Sequence, residues 1–249
     1  MKKPPINPQE HERLYQYYQE LTPNDRLVRS GHALLSMALK PEVTWHAETA
    51  AATQEHIAQD KPLLLFLKHI RVLDVVLPAV LLKQEPELNP LIGNARILAH
   101  AGIFKNDFAR TVLDNLGAIP VFRPSKINDF GGQTVSGVTD SLLTTVDVCL
   151  DKRQSIAVFP EGGFHPNHPD VVAPLGRAMV RLAANEAHAD NVLPLAIGIA
   201  YKEASHVGPP QIALHLSSIE PVTGLPHEIA GEIIRTQMKS ATLAAQEAL

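Results

Sequence analysis

From Pro62 to Leu67 the chain reads PLLLFL, apolar at every position, and Lys68 and His69 follow at once. A run this short, with no polar alternation, is what a strand buried on both faces of a parallel sheet requires. Further extended runs are expected at Glu42 to His46, Leu91 to Ala99, Ala118 to Phe122, Ser155 to Phe159, Val192 to Ala200 and Ile212 to Ser217. Helical spacing fills much of the chain between them: Ala47 to Gln59, Val75 to Leu82, Asp107 to Leu116, Val138 to Leu150 and Leu175 to Ala187, with His227 to Ala248 closing the chain. Such alternation predicts a single α/β domain, a mainly parallel β-sheet flanked by helices on both faces. In open sheets of this kind the ligand crevice lies beyond the carboxyl ends of the strands, where His69 falls.

Ahead of this core, residues 1–40 form an N-terminal helical segment, with helices over Gln9 to Glu20 and Arg26 to Leu39. The second carries Leu27, Val28, Leu34, Leu35 and Leu39 near helical spacing, flanked by Arg26, Arg29 and Lys40. The stripe suits packing on its own domain, or lying on a membrane surface. The chain of 249 residues, 45% of them hydrophobic, is long enough for one large core, and no internal repeat breaks it. The apolar stretches Val72 to Leu82 and Val192 to Ala200 are too short to span a bilayer, and the N-terminus lacks a signal-like apolar segment. A cytoplasmic protein is expected, peripheral to the inner face of the membrane if the stripe meets lipid. The lone Cys149 excludes an internal disulfide, and its apolar setting marks a buried bystander.

Formal charge is −4 overall, yet residues 61–126 hold nine Lys or Arg against five Asp or Glu. That local excess attracts an anionic acceptor, an anionic donor or an acidic membrane surface; the overall charge does not suggest nucleic acid.

His69 and Asp74 offer a base and an orienting acid, the pair needed to take a proton from a hydroxyl. Five residues along one continuous helix would turn them about 140° apart. A strand end, a tight turn and a new helix opened by Asp74 would bring them together, with Pro78 tolerated in that helix's first turns. The spacing alone is weak: with 12 histidines in 249 residues, about half a chance hit is expected for any fixed His-to-Asp interval. His165 and Asp170 share it.

Order separates the two. KHIRVLD at Lys68 to Asp74 is followed by GAIPVFR at Gly117 to Arg123, FPEGG at Phe159 to Gly163 and VLPLAI at Val192 to Ile197. This series resembles the glycerolipid acyltransferase family, 1-acylglycerol-3-phosphate acyltransferase-like members included, across roughly residues 60–200. The resemblance implies a glycerol-3-phosphate acyltransferase-like fold. It also implies an acyltransferase that moves a fatty acyl group from an acyl-CoA or acyl-carrier-protein thioester to the hydroxyl of a lysophospholipid or related glycerolipid. The thioester is a cosubstrate, and no cofactor is expected. On this reading His69 is the general base, Asp74 its orienting acid, and Arg71, Gly117, Arg123, Glu161 and Gly162 bind substrate. Glu161 is expected to bind acceptor hydroxyls or organise backbone donors, and Gly117 to turn the chain into its strand. Arg177 is a weaker candidate.

Several positions depart from the family pattern. Lys68 stands where the family has Asn, Ile70 and Arg71 where it has small polar residues, and Gly163 and Phe164 where it has Thr-Arg. The lost arginine removes a planar match to a phosphate, which Arg71 or Arg123 can replace. Two other readings stay open: a lipid-binding scaffold that keeps the fold without catalysis, and a metal-dependent hydrolase built on His165, His168 and Asp170.

Overall fold

Strand β2 (Leu63–Leu67) is buried at all five positions and occupies the centre of a seven-stranded sheet. The structure, a computed structural model, describes residues 3–123, 136–163, 165–202 and 210–249. The other strands are β1 (Glu42–Trp45), β3 (Ala95–His100), β4 (Ala118–Val121), β5 (Ser155–Val158), β6 (Leu193–Lys202) and β7 (Gln211–Ser218). Their order is β1-β7-β6-β2-β5-β3-β4. Every neighbouring pair is parallel except β6 with β7, so the mainly parallel sheet expected from the alternation is present. β2 pairs with β6 from Leu63 opposite Leu193 to Leu67 opposite Ile197, and with β5 around Leu65 opposite Ala157.

Two apolar layers explain the unbroken hydrophobicity of β2. Leu64 and Phe66 join a core with Leu98, Ile119, Ile156 and Val158. That core packs on α1 (His11–Glu20), α6 (Val138–Asp151), α7 (Arg177–Ala183) and α8 (His227–Glu247). Leu63, Leu65 and Leu67 point the other way, into a core with Val28 of α2 (Asp25–Ala38) and Leu77, Leu81 and Leu82 of α4 (Leu77–Gln84). The period-two alternation of side chains thus feeds both layers from one strand. The remaining helices are α3 (Thr49–Ala58) and α5 (Asp107–Asn115). At Gly198 the backbone of α8 lies so close to β6 that a Cβ would sit 2.0 Å from the Ala241 carbonyl oxygen.

Three boundaries differ from expectation. Leu91 ends a 3-10 turn and β3 begins only at Ala95, because Gly93, with φ of +88°, breaks the extended run. Helix α7 covers only Arg177–Ala183, and the chain then turns through a separate 3-10 segment capped by the Asn185 side chain. Asp74 does not open α4 directly. It lies in a 3-10 turn over Val72–Val76, and α4 starts at Leu77 with Pro78 in its first turn, where a missing N–H costs nothing.

On α2, His32 is 3% exposed and its Nδ1 has no hydrogen-bond partner among the described residues. Burial, then the charges of Arg29 and Lys83, push its pKa down to about 4. The unfolded chain binds this proton near pH 6.5, whereas the folded chain does not until about pH 4. Stability should therefore fall as pH drops through that window, by on the order of 3 kcal/mol, and this contribution should level off below it. Denaturant unfolding of wild type and His32→Leu across pH 4–7 checks it; the variant should lose that part of the slope.

Candidate active site

The carboxyl end of β2 does not fray. Lys68 N–H continues the ladder to the Ile197 carbonyl at 3.0 Å, and His69 carbonyl accepts the His165 N–H at 3.0 Å. His69 is thereby clamped between β6 on one side and the loop after β5 on the other. Its ring stacks at a tilt on Phe159, with centroids 4.5 Å apart.

From that anchor the chain bends through Ile70 and Arg71 into the 3-10 turn, and the bend returns Asp74 to the imidazole. His69 Nδ1 lies 3.1 Å from Asp74 Oδ2, and the same oxygen accepts the N–H of Ile70 at 2.5 Å and of Arg71 at 2.8 Å. The tight turn is therefore built around the carboxylate. A carboxylate only accepts, so Nδ1 carries the proton and Nε2 the basic lone pair. Asp74 is wholly buried, and its other oxygen, Oδ1, accepts a hydrogen bond from the Tyr201 hydroxyl at the end of β6. Burial first, then the adjacent Asp74 charge, raise the Tyr201 pKa well above its ordinary value, so the phenol is the donor.

Glu161 does something different from contacting a ligand. Its side chain is fully buried: Oε1 accepts His69 N–H at 3.1 Å, and Oε2 accepts Lys68 Nζ at 2.8 Å and Ala173 N–H at 2.8 Å. Of the two roles the sequence left open, the geometry shows the organising of backbone donors. Lys68, in the place of the family's Asn, is itself wholly buried, and also donates to the Val171 carbonyl at 2.7 Å.

In front of His69 lies a cavity of about 640 Å³, within the usual range for small-molecule sites, roughly 300–1,000 Å³. Its walls are mainly apolar, including Leu98, Phe122, Leu142, Val158 and Met179. His100, Arg123 and Arg177 bring polar groups to it, and Gly162 contributes backbone at a φ of +68°, a conformation that favours glycine. Arg123 is half-buried, which lowers its pKa, and its Nη1 lies 3.8 Å from where a Cβ on Gly163 would stand. The absent side chain at 163 is the space beside this guanidinium.

Two expected substrate contacts lie elsewhere. Gly117 sits at the amino end of β4, opposite the cavity; its φ of +78° and the Ala95 carbonyl, 2.5 Å from a would-be Cβ, explain the glycine as a turn. Arg71 is not among the described residues lining the cavity: its guanidinium lies over the Tyr201 ring, 4.5 Å from the centroid. His168 and Asp170 are exposed, and among the described residues no group of three His, Cys, Asp or Glu side chains is placed to hold a metal ion. Phe164 lies outside the described residues. Cys149 is buried, which raises its thiol pKa.

A family model described as Acyltransferase matches residues 49–198, more than half of the chain. The chain belongs to the acyltransferase family. No curated protein sequence matches it. The matched span of this acyltransferase contains His69, Asp74, Arg123, Glu161 and Gly162, and ends just before Tyr201. Tyr201 is the residue that sequence reasoning missed. No motif announces it; only the parallel pairing of β6 with β2 carries it to the His69 end of the sheet.

Removing the Lys68 amine leaves the Glu161 charge buried without its cation. Lys68→Met should cost about 3–5 kcal/mol, a fall of roughly 10 °C in melting midpoint. A thermal melt checks this, and Lys68→Met combined with Glu161→Gln should recover part of the loss.

Proposed function

We propose that this acyltransferase moves a fatty acyl group from an acyl-CoA or acyl-carrier-protein thioester to the hydroxyl of a lysophospholipid or related glycerolipid. The observation that carries the proposal is the His69–Asp74 pair at 3.1 Å, set in the wall of a large, mainly apolar cavity. His69 Nε2 takes the proton of the acceptor hydroxyl as its oxygen attacks the thioester carbonyl. The tetrahedral adduct then collapses, the C–S bond breaks, and the imidazolium returns the proton to the thiolate. The products are an ester and a free thiol. Asp74 holds Nδ1–H in place and offsets the charge of the imidazolium while it exists, as the acid of a Ser-His-Asp triad does, but with the acceptor itself as nucleophile.

The apolar walls suit an acyl chain, and Arg123, half-buried beside Gly163, suits a phosphate oxygen. Val72 and Ile103 line the cavity and are 65% and 37% exposed, so the rim is apolar as well. Among the described residues no helix is long and apolar enough to cross a membrane. Peripheral contact of this rim with a bilayer is part of the proposal, since the acceptor lipid resides there.

Thiol release from acyl thioesters, with and without lysolipids, tests the reaction. His69→Ala should lower kcat by about 100-fold or more in a protein whose circular dichroism is unchanged; undiminished turnover would refute the mechanism. Arg123→Gln should raise KM for a phosphate-bearing acceptor by about tenfold or more, with little change for the thioester. An equal loss on acceptors lacking phosphate would assign Arg123 another role.

A further inference from the structure

Among the described hydrogen-bond partners of Asp74, Tyr201 is the one that lies outside both the motifs and the matched span. It completes the hydrogen bonding of a wholly buried carboxylate. Oδ2 serves His69 Nδ1 and the two backbone N–H groups, and Oδ1 serves the phenol. Arg71 lies over the ring of that same tyrosine, so the Asp74 carboxylate is met from β6 by a neutral donor with a cation stacked behind it.

We propose that Tyr201 is a positioning residue of the acyl-transfer site: its hydroxyl, braced by Arg71 across its ring, holds the Asp74 carboxylate and sets how strongly His69 retains its proton. The chain of contacts runs Arg71, Tyr201, Asp74, His69. A donor on Oδ1 withdraws part of the carboxylate's negative charge from Nδ1. The imidazolium is then stabilised less, and the neutral base persists to lower pH. The donor also fixes the plane of the carboxylate, so Nδ1–H and hence Nε2 keep one direction toward the cavity. Among the described residues, the other ionisable groups around His69 are Lys68 and Glu161, paired with each other and buried; His165, bonded through its backbone; and His100, Arg123 and Arg177 on the cavity wall. None of them touches Asp74 in the described hydrogen bonds.

The role in acyl transfer rests on the function proposed above, but the effect on His69 does not, so the test reads the imidazole directly. NMR titration of the histidines in the substrate-free protein, with His69 assigned by its loss in His69→Ala, gives its pKa in wild type and in Tyr201→Phe. The phenylalanine variant should titrate higher, by roughly half a unit or more. Its kcat/KM profile should shift its acidic limb upward by the same amount, with kcat reduced several-fold and KM unchanged. Replacing the chain's four tyrosines with 3-fluorotyrosine, a stronger donor, should move His69 the opposite way without deleting any side chain. If Tyr201→Phe does not fold, the fluorinated protein decides alone.

An unchanged His69 titration in folded Tyr201→Phe, or in the fluorinated protein, overturns the proposal. A shifted titration in a protein whose wild type releases no thiol keeps the positioning role and removes the acyl-transfer reading instead.

Discussion

One buried carboxylate, that of Glu161, joins the two loops from which this active site is made. It accepts the backbone N–H of His69 at the end of β2, the backbone N–H of Ala173 beyond β5, and the Lys68 ammonium. The His165 to His69 backbone bond runs parallel to it. Beyond Lys68 the first loop leaves the ladder, and polar backbone left unpaired there would favour water over the fold. Glu161 answers that need for both loops at once, and the position of the imidazole is a consequence of it.

A second buried carboxylate stands close by, and the two differ in what they are given. Glu161 meets a cation at 2.8 Å, so its charge is cancelled locally. Asp74 meets two backbone N–H groups, a phenol and the His69 imidazole, with no Lys or Arg side chain in its described hydrogen bonds. Its negative charge is solvated but not cancelled, and it remains available to an imidazolium. Burial makes both arrangements necessary, since an unpaired buried ion would neutralise itself by shifting its titration. The same physics therefore yields one acid that ties backbone together and one that faces the imidazole, both within hydrogen-bond distance of His69.

Much of this was legible before any coordinates. The inner strands follow from short apolar runs, because burial on both faces leaves little alternation to misread, whereas the edge strand β1 is exposed or half-buried along its length. The approach of His69 and Asp74 follows from placing a strand end and a turn between them, since a continuous helix would part them. What escaped has a common cause. Arg71 was assigned to the substrate from its place in a motif, and for Glu161 and Gly117 a substrate contact stood beside the structural role the geometry shows, because motif membership does not say whether a side chain points into a cavity or into the protein. Glu161 points inward because its neighbour Lys68 does, and Gly117 serves the far end of its strand. Tyr201 was invisible for another reason: its partner is 127 residues away in sequence, and only strand order joins them.

The departures from the family pattern can then be read electrostatically. Lys68 looks, in the sequence, like an added positive charge beside His69. Its amine is spent on Glu161 and the Val171 carbonyl, wholly out of solvent, so it adds almost nothing to the field in the cavity. Arg71 is likewise turned to the Tyr201 ring. Among the described residues, the lysines and arginines on the cavity wall are Arg123 and Arg177. In the proposed reaction, recognition of an anionic head group therefore falls to these two, with Gly163 leaving Arg123 the room that a side chain would otherwise occupy. The exchange of Thr-Arg for Gly-Phe after Phe-Pro-Glu-Gly thus does not empty the site of positive charge. Arg123, which keeps its place in the motif series, and Arg177 still bring positive charge to the cavity wall.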